Sequence, residues 1–250
     1  MPGFASVFFG RGLNLLGFLR QPNLLSCEGI ERMRIEQPEG RRGSLKWIQR
    51  LVEMRPAMLD EPLRKAGALP SDGHLTWLSP LRDDKWAEYR DGLFLARIGR
   101  PHLASALEKF WPRRGPQWDA LARDESGRVF LIEAKAHGAE MSSSCQAGAK
   151  SRRTIIQSIE ASKLSLGAMS GSDWLKGYYQ YANRLAHLEF LHANQVDAWL
   201  VFLYFMGDDD MNGPHSEAEW MPYINAAHKH LGLSKNSRGV VSIFQDVRDL

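Results

Sequence analysis

Asp119, Glu133 and Lys135 are the residues of this 250-residue chain whose types and spacing could do chemistry. They sit in two strand-like runs, residues 118–123 and 128–136, separated by Asp124-Glu125-Ser126-Gly127, a turn sequence with glycine where a positive φ is wanted. A hairpin is expected. With its turn at residues 125–127, Asp124 faces Arg128, and the antiparallel register carries Asp119 opposite Glu133. Directly opposed residues have Cβ atoms roughly 4.5–5.5 Å apart, so two carboxylates would share one face, which is destabilising unless positive charge lies between them. Strand alternation sends Glu133 and Lys135 to that same face and Ile132 and Ala134 to the other.

A divalent cation is the simplest occupant of such a place. Held by Asp119, Glu133 and the backbone carbonyl of Ala134, Mg²⁺ (or Mn²⁺) would keep positions for water and phosphate oxygens. It would polarise a phosphoryl group and lower the pKa of an attacking water, while the Lys135 ammonium stabilised the charge that develops. Two plainer readings compete. Lys135 could pair with Asp119 as a cross-strand salt bridge, and a Glu-x-Lys triplet alone often marks a solvated strand edge.

The rest of the chain supplies elements to position these residues. Ser44 can cap a helix carrying Leu45, Ile48, Leu51 and Val52 at helical spacing, and a second helical piece covers residues 59–68. Residues 74–79 alternate as a short strand would. The pattern over 84–110 predicts two helices divided near Gly99-Arg100-Pro101. After a loop over 138–151, residues 152–165 form a helix with Ile155, Ile156 and Ile159 inward. Residues 174–192 read as the strongest helix, covering a sheet with Tyr178, Tyr181, Leu185, Leu188 and Leu191 and carrying Gln180, Asn183, Arg184 and His187 on its other side. Residues 198–206 are a strand buried on both faces. Asp208-Asp209-Asp210 resembles part of a calcium-binding loop but is read as lacking that motif's glycine and distal glutamate, and hence as a solvated turn. A helix over 217–231 and a strand over 239–244 complete the order.

The Asp…Glu-x-Lys arrangement, preceded by a helix and followed by a helix and a buried strand, resembles the PD-(D/E)XK, or restriction-endonuclease-like, superfamily over residues 103–206. One departure is that Pro116 stands three residues before the aspartate and not beside it. The resemblance implies an α-β-β-β-α-β core in a mixed central sheet flanked by helices, with an N-terminal helical extension. It also implies a Mg²⁺-dependent nuclease that hydrolyses phosphodiester bonds, with DNA the expected substrate. By position it makes Asp119 and Glu133 metal ligands, Lys135 the catalytic lysine, Glu108 an additional acidic ligand on the first core helix, and Gln180 or Arg184 a polar contact from the later helix.

Arg113 and Arg114, and Lys150, Arg152 and Arg153, flank the candidate site in sequence and could hold phosphates, although surface solubility explains such clusters equally well. Tyr178, Tyr179, Tyr181 and Trp174 could stack on bases or belong to the core. His228 and His230 lack helical metal-ligand spacing and read as surface. The net charge of +3 selects no partner, and 44% apolar content argues against disorder. Two cysteines, Cys27 and Cys145, exclude a disulfide framework and suggest a cytoplasmic protein. The uncharged run between Arg11 and Arg20 is too short to span a bilayer, so no membrane partner is expected. Residues 1–43 are expected as an extension, weakly ordered over 1–32, before one α/β domain over 44–250. A catalytically inactive relative that binds nucleic acid or a partner, and an enzyme acting on a small phosphorylated substrate, are the competing functions. Replacing Glu133 or Lys135 by alanine is expected to abolish cleavage without unfolding the chain.

Overall fold

The fold is that of a computed structural model, which describes residues 33–234 and 237–250. The expectation for residues 1–32 lies outside the described residues. The centre is a five-stranded mixed sheet in the order β2 (Thr76–Ser79), β4 (Ala120–Arg123), β5 (Val129–Lys135), β6 (Ala198–Met206), β7 (Val240–Asp246). The first three strands pair antiparallel, and β5, β6 and β7 run parallel. Helices flank it: α1 (Gly43–Met54) and α2 (Asp60–Lys65), α3 (Asp91–Arg97) and α4 (Ala104–Phe110), α5 (Ala149–Ser165), α6 (Tyr179–Ala193) and α7 (Glu217–Leu231). A small antiparallel ribbon joins β1 (Arg34–Ile35) to β3 (Glu88–Tyr89).

The β4–β5 hairpin has the register that the turn chemistry dictates. Ala120 pairs with Ile132 and Arg123 with Val129, so Asp119 falls one step beyond the ladder in line with Glu133. Gly127 takes φ +84°, which costs a glycine nothing. Asp124 organises the turn: its N–H donates to the Arg128 carbonyl at 3.0 Å, and its Oδ1 accepts from the Ser126 hydroxyl and the Arg128 N–H. Alternation along β5 then divides two cores. Val129 and Leu131 pack among residues of α3 to α7, whereas Phe130, Ile132 and Ala134 pack on α1 and α2 with Trp47, Leu51 and Leu63. Each large apolar side chain buried this way contributes roughly 1.5–3 kcal/mol. Glu133 and Lys135 therefore lie on the face covered by α6.

Several elements differ from the sequence expectation, each for a physical reason. Residues 88–89 are strand, not helix, because β1 from the expected extension pairs with them. Ser44 does not cap α1; it sits inside the first turn, where its N–H and hydroxyl both donate to Glu140 Oε1, so a distant carboxylate serves the helix end. Ile156 is 38% exposed and only Ile155 and Ile159 point inward. Residues 174–178 precede α6, with Trp174 held outside it by a hydrogen bond from Nε1 to the Leu231 carbonyl. The polar side of α6 is not solvated: Asn183, Arg184 and His187 are all buried. Asp208 is also buried, leaving only Asp209 and Asp210 of that run exposed. Among the described residues no helix is long and apolar enough to cross a membrane.

Candidate active site

The hairpin brings Asp119, Glu133 and Lys135 together. Asp119 Oδ2 accepts the Ala134 N–H at 2.8 Å, which anchors the aspartate between Glu133 and Lys135. Lys135 Nζ lies 2.5 Å from Glu133 Oε1. Glu133 is 1% exposed, Lys135 is 8% exposed, and Asp119 keeps part of its surface open. α6 adds a second cation, as Arg184 Nε donates to Glu133 Oε2 at 2.5 Å. The guanidinium also donates from Nη2 to the Gln117 carbonyl and from Nη1 to Asn183 Oδ1, and it stacks over the Trp118 ring at 4.9 Å. Arg184 thus has donors on three partners, a fork that lysine does not offer.

A third carboxylate joins from β3. Glu88 is buried, and its Oε2 accepts from Gln117 Nε2 at 2.5 Å and Gln37 Nε2 at 3.0 Å. It reaches this place because Tyr89 bridges Trp118, immediately before Asp119. The site therefore sets Glu88, Asp119 and Glu133 against Lys135 and Arg184, and the acids outnumber the bases.

The electrostatics follow. Burial alone would raise the Glu133 carboxyl, but Arg184 and Lys135 outweigh it and hold the group below its ordinary range. Asp119 is driven the other way, well above the usual aspartate value, by burial and then by Glu133, with Lys135 countering in part. Burial likewise pushes Glu88 up to about 7, against the lowering pull of its two glutamine donors and with Glu133 adding to the rise. Burial disfavours the charged form of Lys135, yet Glu133 and Asp119 overcome it and the ammonium is retained.

Most of the other sequence candidates lie apart from this cluster. Glu108 is exposed on α4 and its side chain enters no hydrogen bond or ion pair among the described residues; the third acid of the cluster is Glu88 instead. Arg113 and Arg114 are exposed after α4, where the Arg114 N–H donates to Asp91 Oδ2 at 3.0 Å. Arg152 is half-buried and Arg153 exposed in the opening turns of α5, near exposed Lys150. Gln180 does reach the site, lining with Met141, Tyr181, Phe202 and Tyr204 a narrow crevice over Glu133 and Lys135. Tyr181 is core, stacked on Phe202 with ring centroids 3.8 Å apart. Its hydroxyl and His228 Nε2 are 2.7 Å apart, so His228 is partly buried and not a free surface group.

Glu88, Gln117, Gln37 and Asn183 are site residues that the sequence reading did not find. A two-residue strand has no periodicity to detect, and the only hint of Asn183 was its place on the polar side of α6. The donor set is all hard oxygen, which suits Mg²⁺ or Mn²⁺ in kind. Both Glu133 oxygens are occupied by cationic side chains, however, and among the described residues no three His, Cys, Asp or Glu side chains gather closely enough to hold a metal ion. Comparison of the chain with protein-family models, with curated proteins and with solved structures finds no match.

Proposed function

We propose that this protein is a metal-dependent phosphodiesterase of the PD-(D/E)XK type, acting on nucleic acid, with DNA the expected substrate, in the cytoplasm. The observation that carries the reading is the convergence of Asp119, Glu133 and Lys135 on one face of a hairpin whose second arm runs parallel to a buried strand. The α-β-β-β-α-β order expected over residues 103–206 is met only in part: two strands, β4 and β5, follow α4, two helices, α5 and α6, precede β6, and the third antiparallel strand, β2, comes before α4.

Asp119 and the Ala134 carbonyl would hold the ion, joined by Glu133 once Lys135 leaves its Oε1, with Glu88 as a nearby third acid. When bound, a divalent ion supplies Lewis acidity to the phosphoryl group and acidifies a water. The chain's own groups do the rest. Lys135, kept charged by its two acidic neighbours, would stabilise the charge that builds on the phosphoryl oxygens. Arg184 fixes the Glu133 rotamer from behind, and Gln117 and Gln37 fix Glu88. Asp119 is the half-open member, so a phosphate approaches from its side.

Two observations favour other readings strongly enough to name them. Saturation of both Glu133 oxygens by Lys135 and Arg184 suits a protein that binds without cutting. The narrowness of the crevice suits a small phosphorylated substrate. Purified protein should be incubated with duplex DNA, single-stranded DNA and RNA, and with small phosphodiesters, in Mg²⁺ or Mn²⁺. Cleavage should require the ion and fall at least about 100-fold in Asp119→Asn and Lys135→Gln. Cleavage that persists in both variants refutes the assignment; metal-dependent turnover of only the small diesters favours the third reading, and nucleic-acid binding without turnover favours the second.

A further inference from the structure

The loop between β6 and α7 holds a second candidate site, independent of the hairpin. The glycine and distal glutamate that the sequence reading finds lacking after the aspartate run are both present, as Gly213 and Glu219, so the expectation of a solvated turn is corrected. Asp208, Asp210, Asn212, Gly213 and Glu219 occupy positions one, three, five, six and twelve of the pattern D-x-[D/N]-x-[D/N]-G-x5-E, which in twelve-residue calcium loops places oxygen ligands around one ion and a glycine at the sharp turn. The flanking elements differ from the helix–loop–helix arrangement in one respect, that the entering element is a strand.

The structure adds an observation that the spacing does not contain. Asp208 is 1% exposed, and neither of its carboxylate oxygens has a hydrogen-bond partner among the described residues. A buried carboxylate with no donor is unfavourable unless a cation or another group meets it. The other ligand positions are engaged more loosely. Asp210 Oδ2 pairs with Lys46 Nζ at 2.9 Å, with the aspartate side chain 60% exposed. Glu219 lies in the first turn of α7 and its Oε2 accepts the His215 N–H at 2.8 Å, while its own N–H donates to Ser216 Oγ. Asn212 takes the left-handed turn at φ +49°, and Gly213 must be glycine because a Cβ there would overlap the Ala136 carbonyl. These carboxylates do not surround a common point, so cation binding requires Lys46 to release Asp210 and Glu219 to turn inward.

We propose that residues 208–219 form a calcium-binding loop, with Asp208 its buried first ligand and Glu219 its last. An all-oxygen donor set at this spacing favours Ca²⁺, which accepts irregular coordination, over Mg²⁺, which demands a strict octahedron. Trp220 offers a built-in reporter. It follows Glu219 directly, is fully buried, and donates from Nε1 to the Phe205 carbonyl at 3.0 Å, which pins it between the two ends of the loop.

The test uses the full chain and Tb³⁺ as probe, with emission excited through tryptophan and competed by Ca²⁺ or Mg²⁺, and calorimetry with Ca²⁺ alone. Sensitised emission should saturate and be displaced by Ca²⁺ with a Kd on the order of 10⁻⁵–10⁻³ M, and by Mg²⁺ far less readily. Glu219→Gln should weaken Ca²⁺ binding at least about tenfold, and so should Asp210→Asn, whose exposed side chain can be changed without disturbing the fold. Asp119→Asn should leave it unchanged. Absence of Ca²⁺-competed emission, equal affinity in the two loop variants, or loss of binding in Asp119→Asn overturns the proposal. So does an Asp208→Asn variant that is folded and keeps parental Ca²⁺ affinity.

Discussion

Glu133 is buried between two cations, and Glu133→Gln measures what that arrangement contributes. The substitution keeps the shape and removes the charge, leaving Lys135 Nζ and Arg184 Nε, each 2.5 Å from a Glu133 oxygen, buried without their counter-ion. Removing one partner of a buried pair costs about 3–5 kcal/mol. For a chain of this size each kcal/mol moves Tm by roughly 2–4 °C, so a fall of roughly 6–20 °C is expected. Thermal and urea unfolding followed by circular dichroism reads it. The sign with pH is fixed by the lowered carboxyl of Glu133: its stabilisation is present above the unfolded value of 4.5 and is lost as pH falls through the lower folded value, so the gap between parent and variant should close in acid. Adding Lys135→Met should restore at least about 1 kcal/mol, because the ammonium is no longer stranded. A variant within about 0.5 kcal/mol of the parent at pH 7 would refute the reasoning. The sequence-level expectation that Glu133→Ala leaves the fold intact therefore gives way: burial makes it a stability change as well as a chemical one.

The other predictions concern pH, packing and the acid on α4. With Glu88 raised from 4.5 to about 7, the folded chain holds a proton that the unfolded chain releases, so stability falls as pH rises across that window, by about 3 kcal/mol. Glu88→Gln should match the parent at pH 4 and exceed it at pH 8, checked by urea unfolding at both. His187 shows the opposite dependence. Burial in a box of Phe94, Phe110, Trp111 and Trp118 lowers it to about 3, so its contribution is full above pH 6.5 and is lost as pH falls toward 3, by up to about 5 kcal/mol. His187→Phe should shallow the acid limb of the stability profile. Gly213→Ala would place a methyl 2.2 Å from the Ala136 carbonyl oxygen, a backbone atom that cannot swing aside, and should lower stability by about 1–3 kcal/mol in the same assay. Glu108→Ala, on an exposed helix face, should leave both stability and any cleavage within error.

The hairpin was legible because its information is local. A glycine-closed turn fixes register, register fixes which residues oppose, and alternation fixes which face they share, so Asp119, Glu133 and Lys135 follow from a short stretch of chain. The apolar run of β6 was legible for a similar reason. Arg184 and Asn183 were recognisable as polar positions on α6, but amphipathicity assigns such positions to water, and only the ion pair with Glu133 explains why they turn inward. Glu88 was invisible because its two-residue strand exists only through pairing with Arg34 and Ile35, far back in the chain. Asp208 escaped for the converse reason, since a run of three aspartates reads as hydrophilic whatever becomes of its first member.

The pairing of Glu133 with Arg184 spans 51 residues, and that of Glu88 with Gln37 another 51. Loop closure must precede the reward of contacts so far apart. An isolated hairpin peptide would consequently carry both carboxylates and the lysine yet lack the Arg184 guanidinium that orients Glu133, and Glu88 with the glutamines that hold it. Whatever this cluster does belongs to the finished tertiary structure, and no excised segment around residues 119–135 inherits it.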